Sequence, residues 1–129
     1  MNEDLIPFEL AKQLKEKGFN YERYLYYTND GEIGVKEIRM NHNDGLDISC
    51  PNIWEAKRWL LKEHFINVQI EGIMFFNDEK EMTESELNWK YKLYEASDLS
   101  YSKIKDCEYS YDTEEEALIE GIKDALNLI

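Results

Sequence analysis

The chain has 129 residues, 43% hydrophobic and 13% aromatic, with 28 acidic against 15 basic side chains and a formal charge of −13. That length and apolar content suit one domain over 1–129 that buries a core without disulfides, and they exclude a disordered chain. The acid is uneven, 12 Asp/Glu to 9 Lys/Arg in 1–65 but 16 to 6 in 66–129, which argues against direct binding of nucleic acid or an anionic membrane, since both need clustered cations.

No basic stretch followed by an apolar run lies near Met1, and no run approaches the ~18 apolar residues of a membrane span. The expected location is cytoplasmic, with Cys50 and Cys107 as reduced structural thiols, because neither has a Cys or His nearby to make a disulfide framework or zinc knuckle.

Pro7 suits a helix's first turn, and Phe8, Leu10, Ala11 and Leu14 recur at helical spacing up to Gly18, which predicts a helix over 7–17. Gly18 can take the left-handed position past its end and bring Phe19 back onto Leu14. Residues 23–27 are rich in aromatics; Asn29, Asp30 and Gly31 then supply turn chemistry before Ile33, Val35 and Ile38, so a hairpin is expected. The apolar phase breaks between Val35 and Ile38, which requires a second strand that is bulged or buried on both faces.

Residues 40–47 read as an Asn/Asp/Gly loop, and Asn52 with Glu55 makes a capping box for a helix over 52–65. Its apolar surface, from Ile53, Trp54, Ala56, Leu60, Leu61 and Phe65 with Trp59 further round, is wide enough to meet both a sheet and another helix. Val68 and Ile70, then Trp89, Tyr91 and Leu93, alternate with polar residues and predict a second hairpin across a long acidic connection at 77–86. The tyrosine-rich segment 98–111 lacks a firm period; a short edge strand and a simple cover for the core are both open to it, and it is read as loop. Thr113 and Glu116 form a second capping signal for a helix over 114–128, with Leu118, Ile122, Ala125, Leu126 and Ile129 on its buried face. The predicted fold is α+β, ordered helix, hairpin, helix, hairpin, helix, with an antiparallel four-stranded sheet carrying helices mainly on one face.

Three segments carry a likeness: Ile6-Pro7-Phe8-Glu9-Leu10-Ala11 with Leu14, Lys15, Gly18 and Phe19; Ile48, Ser49, Pro51, Trp54, Glu55, Ala56, Trp59 and Leu60 continuing to Val68 and Ile70; and Glu115 to Leu118 with Gly121, Ile122, Ala125, Leu126 and Ile129. Over about two-thirds of its length the chain resembles small proteins encoded by gut Bacteroidales and their phages and prophages, for which no activity is established. The resemblance implies an accessory protein of a mobile element and supplies no site residue.

The chemistry-bearing residues read as structural. His64 sits on the apolar arc of the second helix near its C-terminus, where the helix dipole favours a protonated imidazole. His42, beside Asp44 and Asp47, lacks the spacing of a calcium loop. Cys50 precedes a helix but has no base beside it in sequence, and the six glycines form no phosphate loop. Lys57, Arg58 and Lys62 beside Trp54 and Trp59 resemble a single-strand nucleic-acid platform, outweighed by the charge of the whole. No catalytic, cofactor or metal residue is therefore assigned.

The expected function is a non-enzymatic protein-protein interaction module, binding a protein partner or itself. The alternatives are a nucleic-acid mimic, built on the carboxylates of 77–86, 106–116 and 120–124, and an enzyme of unrecognised type. Four tyrosines without a core role in the pattern, Tyr24, Tyr26, Tyr94 and Tyr101, are the candidate interface residues.

Overall fold

Local chemistry sets the three helices. In the computed structural model, which describes residues 4–76, 85–96, 101–107 and 109–129, α1 spans Phe8–Glu16, α2 Ile53–His64 and α3 Glu114–Leu126. Past α1, Gly18 takes φ +97°. There the Phe19 amide donates to Leu14 O at 3.0 Å and the Gly18 amide to Lys15 O at 3.1 Å, the paired bonds that satisfy the last carbonyls of a helix. Both Leu14 and Phe19 are buried. The α2 capping box is complete: Asn52 Oδ1 accepts the Glu55 amide at 2.8 Å and Glu55 Oε1 accepts the Asn52 amide at 3.0 Å. At α3 only half of the predicted box forms, with Thr113 Oγ1 accepting the Glu116 amide at 3.1 Å while the Glu116 carboxylate meets the Thr113 hydroxyl.

The strands are β1 Arg23–Tyr27, β2 Ile33–Met40, β3 Ile48–Ser49, β4 Ile66–Phe76, β5 Ser85–Ala96 and β6 Tyr101–Asp106. They form two separate three-stranded antiparallel sheets, β2-β1-β3 and β4-β5-β6, which corrects the expectation of one four-stranded sheet. Each expected hairpin recruits a third strand that sequence pattern did not reveal. Ile48–Ser49 is two residues long and follows a polar loop, whereas Tyr101–Asp106 lies in the segment expected to be loop and has no buried alternation to announce it. Since β3 and β6 occupy the free sides of β1 and β5, those hairpins cannot merge through these strands. The second hairpin is also longer than 68–93; of its acidic connection, 77–84 lie outside the described residues.

A buried cluster joins the elements, with Ile6, Leu10 and Leu14 from the N-terminal segment and α1, Trp59 and Leu60 from α2, Val68 and Leu93 from the second sheet, and Leu118 and Ile122 from α3. Helix α2 meets both β4 and α3, as expected, but with Ile53, Ala56, Trp59 and Leu60 buried while Trp54 and Phe65 of its expected apolar surface are exposed; α3 lies across β4 and β5 and α1 packs on β3. The segment before α1 is tied in through Ile6 N to Pro51 O at 2.9 Å and Ile53 N to Asp4 O at 2.7 Å. Among the described residues, no helix is long and apolar enough to cross a membrane.

Gly121 lets α3 approach the sheet: a Cβ there would overlap Val68 Cγ1 and come within 3.1 Å of Tyr91 Cγ. Gly121→Ala should therefore lower stability by about 1–2 kcal/mol in urea unfolding, overpacking outweighing the better helix propensity of Ala. An unchanged or raised midpoint would contradict the close fit.

Candidate interaction surface

Strand β2 ends the first sheet, with β1 on one side only. Its pairing with β1 is interrupted by a bulge: between the pairs Leu25–Val35 and Arg23–Met40, two steps along β1 match five along β2. Directly opposed residues share a face, and alternate residues of β1 lie on one face. Ile33, Val35 and Met40 therefore face the same way, opposite Tyr27, Leu25 and Arg23, although their own numbers change parity. Ile38, two residues from Met40, falls in with them. The phase break in the sequence is thus the bulge. It gathers Ile33, Val35, Ile38 and Met40 on one face and leaves Gly34, Lys36, Glu37 and Arg39 on the other.

The other face is fixed by Tyr26. Its ring covers Gly34, where any Cβ would collide with it, and Lys36 Nζ lies 5.4 Å from its centroid. The apolar row is exposed, at 50% for Ile33, 68% for Val35, 68% for Ile38 and 40% for Met40. The same sheet face is buried at Tyr27, on the neighbouring strand β1, where Phe8 packs edge-on at 5.3 Å. The row is a continuation of the core face beyond the edge of the helices.

Around the end of β2 lies an open groove of about 590 Å³, lined by Lys36 and Glu37 as well as Ile38 and Met40, and by Asn41, His42, Asp44 and Asp47. The polar residues of 41–47 in this groove are engaged in and around the 3-10 turn His42–Asp44. The His42 imidazole Nε2 meets Arg23 O at 2.7 Å and its amide donates to Ser49 Oγ at 3.1 Å. Asp44 Oδ1 accepts from Asn41 at 3.1 Å, and Lys15 Nζ donates to the carbonyls of Gly45 and Asp47 at 2.8 and 2.9 Å. Among the described residues no group of three or more His, Cys, Asp or Glu could hold a metal.

The four candidate tyrosines fall on two sheets. Tyr24 and Tyr26 are on β1, Tyr24 exposed and Tyr26 half-buried with its ring 4.9 Å from that of His42. Tyr94 on β5 opposes Lys103, and Tyr101 on β6 opposes Ala96. Sequence reasoning singled out these tyrosines and passed over the β2 aliphatics, whose exposure depends on where the helices end. Of the other weighed residues, Asp44, Trp54, Arg58 and Lys62 are exposed, while Cys50 and Trp59 are internal. Cys50 is fully buried, and burial pushes its thiol up. Trp59 lies in the core with His64 edge-on to it at 4.8 Å, so it is no platform for a base.

A second concavity, of about 230 Å³, is lined by Tyr91, Lys105, Tyr109, Tyr111, Glu120 and Asp124. It is a fastening of α3 to its sheet: the Tyr91 hydroxyl donates to Asp124, whose carboxylate also pairs with Lys105 at 3.0 Å. Burial, then the hydrogen bond and charge of Asp124, push the Tyr91 phenol well above its ordinary 10.0, and burial does the same to Tyr27, whose hydroxyl donates to Ile6 O at 2.5 Å. Neither phenol can serve as a base near neutrality.

Because these folded-state values are raised, the stability they contribute is complete below the unfolded value of 10.0 and is lost as pH rises toward the folded values. Unfolding free energy of the wild type should fall steadily above that pH. Tyr91→Phe should cost about 1–2 kcal/mol at neutral pH and flatten the alkaline fall. Equal slopes in the two proteins would remove Tyr91 as a source of it.

No family model, no curated protein and no solved structure matches this chain.

Proposed function

We infer that the chain is a non-enzymatic protein-interaction module of the accessory kind that its resemblance to phage and prophage proteins implies, and that it works by adding a polypeptide strand to the open edge of β2. The observation that carries this reading is the row Ile33, Val35, Ile38 and Met40, aligned on one face of a terminal strand and exposed. An edge strand presents unpaired backbone donors and acceptors, and apolar side chains along it add packing to a strand that docks there. The mimic reading draws less support, because Asp106, Glu120 and Asp124, three of the carboxylates it would use, each have a lysine partner at 3.3 Å or closer.

Val35→Lys/Ile38→Lys should leave the unfolding midpoint within about 0.5 kcal/mol of the wild type, since both side chains are already in water. Tagged wild type and variant are compared for the proteins each retains from a bacterial lysate, by quantitative mass spectrometry. The expected result is retention by the wild type, by strand addition at β2, that the variant loses. Identical profiles would overturn the edge as the surface that takes a strand from another protein.

A further inference from the structure

The β2 strand is complementary to itself. Written in order, it is Ile33, Gly34, Val35, Lys36, Glu37, Ile38, Arg39, Met40. Laid antiparallel against a second copy with the two-fold between Lys36 and Glu37, it opposes Ile33 to Met40, Gly34 to Arg39, Val35 to Ile38 and Lys36 to Glu37, and then the same four pairs in reverse. Every apolar residue meets an apolar one, both inner charges meet their opposites, and the long Arg39 meets a glycine.

A regular strand could not adopt this register. Opposed residues must share a face, and the register joins odd positions to even ones, which in a straight strand point to opposite faces. The bulge removes that obstacle. With Ile33 and Val35 brought to the same face as Ile38 and Met40, and Lys36 and Glu37 side by side on the other, all eight pairs become face-compatible about a two-fold perpendicular to the sheet. The neighbouring registers are poorer. Shifting by one sets Glu37 against its own copy, and shifting one residue further sets Lys36 against Arg39.

We propose that two copies of this chain associate through β2, in this register, to make one continuous six-stranded sheet of order β3-β1-β2-β2-β1-β3. The proposal rests on the reading of the β2 edge as the binding surface and names its occupant as a second copy. Such an interface is isologous, the same patch used by both partners. Lys36 and Glu37 then act as the register lock, since neither has an ion pair among the described residues and Lys36 Nζ lies over the ring of Tyr26.

The test is sedimentation equilibrium of the purified chain over a wide concentration range, with the two charge reversals and their combination. The wild type should sediment toward twice the chain mass. Lys36→Glu alone and Glu37→Lys alone each set like charges opposite one another twice per dimer and should weaken association about tenfold or more, while Lys36→Glu/Glu37→Lys should recover it. A wild type that stays monomeric overturns the proposal, and so does a dimer indifferent to both single reversals or one that the double reversal fails to restore. If the purified chain is monomeric yet Val35→Lys/Ile38→Lys still abolishes retention of another protein, the second copy is excluded while the β2 edge remains the binding surface; loss of both removes the edge altogether.

Discussion

The first turn of α2 holds the fold in register, and Glu55 is its centre. One carboxylate oxygen closes the capping box on the Asn52 amide and the other takes Arg23 Nη1 at 2.7 Å, with both side chains largely withdrawn from water. Arg23 in turn reaches Cys50 O at 3.4 Å. Deleting either member would leave the other partly buried and uncompensated, which is costlier than the pair is stabilising. Through this one group the start of a helix that lies on the second sheet is bonded to the central strand of the first. The two sheets share no strand, so the buried cluster and this ion pair take over the task that backbone pairing performs within a single sheet.

The features legible in the sequence are those decided within a few residues. Asn52 with Glu55, Gly18 with Phe19, and the apolar faces of α1 and α3 each couple a local side chain to a local backbone group, and each is found at or within a residue or two of its predicted place. Sheet partnership is different in kind. Whether Tyr26 pairs with Ser49, or Tyr94 with Lys103, depends on long-range closure of the chain, and two exposed or very short strands leave no periodic trace. Thr113 marks the limit of local inference too: the right residues at the right spacing made one of the two capping bonds, because the Glu116 carboxylate found the threonine hydroxyl instead.

The surface was legible only in part. The parity change between Val35 and Ile38 is visible in the sequence and requires a bulge or double burial; the register across β1 decides for the bulge. That the resulting apolar row is exposed could not be read, since the same residues on a central strand would be core. Tyrosine content pointed elsewhere because tyrosine is common at interfaces, but Tyr26 is taken up in supporting His42 and Lys36.

Phe65 closes α2 in the left-handed region at φ 58°, and β4 begins at the next residue, with Phe65 O accepting the Ala96 amide at 2.7 Å. Helix and strand are therefore joined without slack. The central strand of the first sheet thus reaches the start of α2 through Arg23 and Glu55, and the end of α2 enters the second sheet after a single residue, so a displacement of β1 would carry to β4 through one ion pair and one helix.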